Sequence, residues 1–163
     1  MPRPVHWFSL AAFAVLLDRA AKLVVLESFL PGESRTVTGF FNLVLVFNKG
    51  AAFSFLASAP GWQTPFFVAL AVLACLIVSF LIVRHPQKTL FCCGLAFILG
   101  GAFGNLWDRL QWGYVVDFLD FHAAGWHWPA FNVADAAITL GAAILIAESF
   151  LHHELPVPRK GAP

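Results

Sequence analysis

Charge is scarce in this chain. Asp, Glu, Lys and Arg make up only 12% of its 163 residues, while 60% are apolar. Soluble domains sit nearer about half apolar and about a quarter charged. The balance points to lipid as the surrounding solvent. The 10 basic residues are not clustered and the net charge is +1, so no field exists to attract nucleic acid. Cysteine is also scarce. Cys75, Cys92 and Cys93 all lie in apolar runs. An odd count with two adjacent members does not make a disulfide framework, and the three read as small apolar core residues. Several catalytic signatures are missing too: no His-Glu-x-x-His zinc motif, no Gly-x-Ser-x-Gly elbow, no phosphate-binding loop.

What the chain does have is long apolar runs. A membrane-spanning helix needs about 20 mostly apolar residues. Four runs qualify, at about 7–26, 65–83, 90–106 and 131–150. The first follows Arg3 as a signal peptide would. Asp18, Arg19 and Lys22 replace a small-residue cleavage site, so it reads as a retained span.

Loop charge predicts orientation. Arg3, Arg84, Lys88, Arg159 and Lys160 fall on one side of a four-span bundle, and Arg35, Lys49 and Arg109 on the other. Both termini are therefore expected in the cytoplasm, with outer loops at about 28–64 and 107–130. In the first outer loop, Phe41, Leu43, Leu45 and Phe47 alternate with Asn42, Val44 and Val46, a strand signal closed by the turn Asn48-Lys49-Gly50. The expected fold is thus a mainly α membrane protein with four transmembrane helices. A small extracytoplasmic β-sheet belongs to the first outer loop, residues 1–163 form one domain, and the Pro-rich tail 156–163 is disordered.

Charges inside spans are costly and usually face the bundle interior. Asp18 and Lys22 share one helix face. They are either a structural ion pair or part of a site. Glu148 reads as an interfacial carboxylate. Asp108-Arg109 closes the third span as a helix end with its own ion pair. Gly100, Gly101 and Gly104 suit close helix contact, and Asn105 is placed to hold backbone groups where water is absent. His122, His127 and the tail pair His152-His153 read as interfacial polar residues rather than metal ligands.

Asp117, in Gly113-Tyr114-Val115-Val116-Asp117-Phe118, and Asp135, in Phe131-Asn132-Val133-Ala134-Asp135, fall at the same depth near the outer surface. Neither has a neighbouring cation in sequence. Two carboxylates at close range do not both ionise, which leaves one base and one acid. Aspartic proteases use such a pair to activate water against an amide. Spacing alone leaves open two separate structural caps or a proton-conducting pair.

Four segments together resemble the bacterial lipoprotein signal peptidase (signal peptidase II) family. They are Asp18-Arg19-Ala20-Ala21-Lys22, Asn48-Lys49-Gly50-Ala51-Ala52-Phe53-Ser54, the stretch from Gly100 through Arg109 with Gly113 to Phe118, and Phe131-Asn132-Val133-Ala134-Asp135. The resemblance implies a monomeric inner-membrane aspartic endopeptidase, working without metal or other cofactor. Its partners would be membrane lipid and diacylglyceryl-modified prolipoproteins, which it would cleave just before the lipidated cysteine. It makes Asp117 and Asp135 the catalytic pair. Asn48, Gly50, Phe53, Gly104, Asn105, Asp108, Arg109, Asn132, Asp18 and Lys22 would line or support the site, with Phe53 closing over substrate. The competing expectation is a small proton- or ion-coupled transporter using the same aspartates.

Overall fold

A computed structural model describes residues 3–50 and 62–151. Helix α1 spans Pro4–Ser28, α2 Gln63–Arg84, α3 Thr89–Trp112 and α4 Val133–Leu151. Between them lie β1 (Ser34–Thr38), β2 (Phe41–Asn48), β3 (Val115–Ala123) and β4 (Trp126–His127). Among the described residues, three helices, α2, α3 and α4, are long and apolar enough to cross a membrane. Helix α1 is long enough, but Asp18, Arg19 and Lys22 lower its apolar character. The bundle is inverted relative to a soluble one. Leu70, Leu73, Leu76, Ile77 and Phe80 of α2 point outward, while Asp18, Lys22, Asp108 and Asn132 are enclosed. Lipid outside and paired charge inside is the arrangement such a composition permits.

Helix α3 is the central element, packed against α1, α2 and α4. Its glycines allow this. A methyl group at position 100 would lie 2.7 Å from the Ala11 carbonyl of α1, and one at position 104 would lie 2.8 Å from Asp18 Oδ2. At the opposite end from the sheet, Trp7 Nε1 donates to the Pro86 carbonyl at 3.0 Å, tying the start of α1 to the α2–α3 connection.

The expected strand at 41–47 is present as β2, paired with β1 before it, but the sheet is not confined to the first loop. It has four antiparallel strands in the order β1-β2-β3-β4. Residues 115–123, expected as plain loop, form its third strand. Asp117 and Asp120 interrupt the apolar pattern there, and the pairing partner β2 lies two helices away in sequence. Helix α3 also runs six residues past its expected end at 106. It stops where Gly113 adopts φ +78°, a left-handed cap that turns the chain into β3. Val25, Leu45, Val116 and Phe118 form the core between α1 and the sheet. The tail and Phe53 lie outside the described residues.

Candidate active site

Strand β3 and the start of α4 are stapled together. Leu119 N–H donates to the Phe131 carbonyl at 2.8 Å, and Phe131 N–H returns a bond to Leu119 at 3.1 Å. The next residue, Asn132, caps α4. Its Oδ1 accepts Asp135 N–H at 2.9 Å, while Asp135 Oδ2 accepts Asn132 N–H at 3.3 Å, a reciprocal capping box. The same Asn132 sends Nδ2 to Asp117 Oδ1 at 2.7 Å. Asn132 therefore contacts both aspartates, the Asp117 carboxylate through its side-chain amide and the Asp135 carboxylate through its backbone N–H.

The remaining oxygens are also held by amides. Asn48 Nδ2 donates to Asp117 Oδ2 at 3.0 Å, and Asn105 Nδ2 to Asp135 Oδ1 at 2.7 Å. Among the described residues, neither aspartate forms an ion pair. Asp117 is 2% exposed. Its burial, with Asp135 close by, pushes its carboxyl from an ordinary 3.8 to about 7, against the lowering effect of Asn48, Asn132 and Lys22.

Asp117 and Asp135 line one cleft of about 820 Å³ with Asn48, Asn105 and Arg109. The cleft continues along α4 past Ile138, Leu140 and Ala143, with Trp128, Pro129, Ala130 and Phe131 forming one wall. It is a polar pocket opening into an apolar groove. Arg109 Nη2 donates to the Gly50 carbonyl at 2.9 Å, and Gly50 N–H donates to Asn48 Oδ1 at 2.9 Å. The expected turn at 48–50 thus holds Arg109 at the cleft.

The other expected residues stand behind the cleft. Asp18 and Lys22 do pair, at 2.8 Å, fully enclosed. Asp108 does not pair with Arg109 as its sequence neighbourhood implies. It binds Lys22 at 2.7 Å and Arg19 at 3.1 Å instead. Arg19 escaped notice because its partner lies 89 residues away. Gly104 leaves the space that Asp18 fills. The apolar groove on α4 also had no local signal beyond hydrophobicity. His127 Nδ1 contacts Asp120 at 2.9 Å and stacks on His122, away from the cleft. Among the described residues, no group of three or more His, Cys, Asp or Glu side chains is arranged to hold a metal ion.

Apolar helices enclosing polar groups, with two carboxylates on an apolar groove at one end, define a helical membrane protein with an acid-lined cleft. A family model described as signal peptidase (SPase) II matches residues 10–151. The lipoprotein signal peptidase of Ralstonia nicotianae is 57% identical over 142 residues, covering 87% of this chain and 82% of that one. That of Cupriavidus taiwanensis is 56% identical over 145 residues, covering 89% and 82%. A bacterial membrane enzyme solved by the in meso method at 2.3 Å has the same fold, with a TM-score of 0.85 over 99% of both chains at 24% identity. A second, solved at 1.9 Å, superposes with a TM-score of 0.78 at 26% identity, over 91% of this chain and 94% of its own. The chain belongs to the signal peptidase II family, and is therefore a membrane peptidase.

Proposed function

We propose that this protein is an intramembrane aspartic endopeptidase. It removes the signal peptide from prolipoproteins that carry diacylglycerol on a cysteine, cutting just before that cysteine. The observation that carries this reading is the shared amide. Asn132 touches Asp117 and Asp135 together at the head of an apolar groove, with no cation paired to either among the described residues.

The chemistry follows from two carboxylates that share one proton. The ionised aspartate takes a proton from water as the water oxygen bonds to the scissile carbonyl carbon. The protonated aspartate gives its proton to the carbonyl oxygen, forming a neutral diol. On collapse, the first aspartate passes its proton to the departing amide nitrogen, the C–N bond breaks, and the second recovers its proton from a diol hydroxyl. With the Asp117 carboxyl raised to about 7 by burial and by its neighbour, the pair keeps its shared proton toward neutral pH. The α4 groove receives apolar substrate, and the lipid chains remain in the bilayer.

The whole chain acts as one monomeric domain of the bacterial inner membrane. All four helices span, both termini are cytoplasmic, and the sheet and the aspartate pair lie at the outer face. Grouping the carboxylates at one end favours hydrolysis over a proton path, which needs acidic groups at several depths.

The test uses the purified protein in detergent with one precursor in two forms, with and without diacylglycerol. Cleavage of the lipidated form alone is expected, and mass spectrometry should show the product beginning at the modified cysteine. Equal cleavage of both forms, or cleavage elsewhere, contradicts the reading. Reporter fusions after Lys88 and Lys160 should both report cytoplasm; opposite compartments would refute the topology.

A further inference from the structure

Behind the aspartate pair stands a second set of charges with an unexpected symmetry. Asp18 Oδ1 accepts Ala134 N–H at 2.8 Å, and Ala134 directly precedes Asp135. Asp108 Oδ2 accepts Val116 N–H at 3.2 Å, and Val116 directly precedes Asp117. Each aspartate of the pair therefore has the amide just before it held by a buried carboxylate. Lys22 joins those two carboxylates. Its Nζ lies 2.8 Å from Asp18 Oδ2 and 2.7 Å from Asp108 Oδ2. It also donates to Asn105 Oδ1 at 3.2 Å, and Asn105 in turn holds Asp135.

We infer that Lys22 is a positioning residue for the reaction: a three-armed tie that sets the separation of Asp117 and Asp135. This rests on the reading of those two as the catalytic pair. The ammonium has three donors and no acceptor. Here three acceptors meet them, so the group has no freedom left to rotate or shift. Its first arm runs through Asp18 to the backbone of α4. Its second runs through Asp108 to the backbone of β3. Its third runs through Asn105 to the Asp135 side chain.

Charge balance alone does not require this layout. Arg19 already reaches Asp108 Oδ1 at 3.1 Å, and one carboxylate would suffice for Lys22. Each carboxylate instead also accepts an amide beside the site, Asp18 on its free oxygen and Asp108 on the oxygen that Lys22 binds. Strand β3 and helix α4 are separate elements joined by the Leu119–Phe131 backbone pair, and rotation about that joint would open the aspartate pair. Asn132 restrains that joint from the cleft side and Lys22 from behind. Gly104 supports the tie, because a side chain there would press on Asp18. Precision of this kind matters, since a misplacement of about 1 Å in reacting groups can cost about 100-fold in rate.

The test separates a tie from a counter-charge. In the triple variant Asp18→Asn, Lys22→Met, Asp108→Asn, the three enclosed charges of the tie leave together, and partly exposed Arg19 keeps Gln111 and the Trp112 ring as partners. The asparagine oxygens still accept from Ala134 and Val116, but nothing links them. The melting temperature should stay near the parent's. Turnover of the lipidated precursor should show kcat at least about tenfold lower with KM within about twofold, the pattern of a lost transition-state arrangement. The pH profile of kcat should move as well, because the proton affinity of the pair depends on its separation. Parental kcat with a parental pH profile would overturn the inference and leave Lys22 a counter-charge.

Asp108→Asn alone is the second arm, for use if the triple variant fails to fold. It keeps the Asp18–Lys22 pair and an oxygen for Val116, and should also lower kcat without raising KM. Parental kcat there overturns the tie. Asp117→Asn and Asp135→Asn run alongside. Substantial turnover by either removes the catalytic reading itself. Two dead variants beside a fully active triple variant remove only the tie.

Discussion

Two pairs of aspartates lie close in space at one end of the bundle, and they are treated differently. Asp18 and Asp108 share the ammonium of Lys22 at 2.8 and 2.7 Å. Asp117 and Asp135 receive amide donors instead, from Asn48, Asn132 and Asn105. An amide fixes direction without cancelling charge. A cation does both. The first pair is thereby committed to structure, and the second is oriented but left able to exchange a proton. Asp120, on the same strand as Asp117, supplies a third case. Burial raises its carboxyl, but hydrogen bonds from Asn42 and His127 outweigh that, and it is held below its ordinary 3.8. One strand thus carries one aspartate pushed up to about 7 and another pulled down.

The contrast is broken most severely at Lys22. Lys22→Ala leaves Asp18 and Asp108 enclosed together without their shared cation. Removing one partner of a buried ion pair costs about 3–5 kcal/mol. A large fall in melting temperature in detergent is expected, with loss of turnover. An unchanged melting temperature would mean that the cluster is not the structural half of the comparison.

The second effect is one of pH. Asp117 is protonated in the folded protein up to about 7, whereas its ordinary value is 3.8. A raised acid stabilises the fold below the unfolded value, and that contribution disappears as pH rises through the folded one. The change is at most about 4 kcal/mol for this carboxyl. The parent's melting temperature should therefore fall between pH 4 and 7, and Asp117→Asn should flatten that slope. Turnover should decline above about pH 7 as the shared proton leaves. Equal slopes in parent and variant would place Asp117 with the ordinary carboxylates.

Asn132 comes third in stability. Asn132→Ala removes a helix cap, worth about 0.5–2 kcal/mol. It should depress the melting temperature less than Lys22→Ala does. Yet it takes the side-chain amide away from Asp117 Oδ1 and from the Asp135 backbone, leaving Asp117 held by Asn48, and turnover should fall about 100-fold. A variant that keeps parental kcat would show that the shared amide is only a cap.

The smallest effect belongs to His127. Its loss leaves Asp120 with Asn42 and should not alter turnover. The Asp120 contribution is present above pH 3.8 and lost as pH falls through its lowered folded value. His127→Ala should therefore melt slightly lower than the parent at neutral pH and alike in strong acid. A turnover defect would mean that the Asp120 end of the strand belongs to the site.

Much of this was legible in the sequence, and the reasons are physical. Helices α2, α3 and α4 announce themselves as apolar runs of spanning length. Strand β2 shows in the alternation at 41–47, whereas its partner β1, exposed along its whole length, has no apolar alternation to show. The matched depth of Asp117 and Asp135 follows from where the runs end. Strand β3 stayed hidden: aspartates at 117 and 120 are three apart, not two, and its partner strand lies beyond two helices. Yet its β-branched and aromatic run, bounded by Gly113 and by Ala124-Gly125 with φ of +50° and +79°, was a usable signal. Local reasoning paired Asp108 with Arg109. Tertiary structure gave it Arg19 and Lys22, contacts that no spacing rule reaches. Asn132 is the cap of α4, and its second contact, to Asp117, appears only in three dimensions.

The most direct measurement is single-turnover cleavage of a diacylglyceryl-modified precursor by Asp117→Asn, Asp135→Asn and the double variant, with binding of uncleaved precursor as the folding control. If the two act as one unit, each single variant binds precursor and does not cleave it. The double variant is then hardly worse than either, because groups that act together are strongly non-additive. Substantial cleavage by either single variant, or losses that simply add in the double, would contradict an aspartate pair as the site of catalysis.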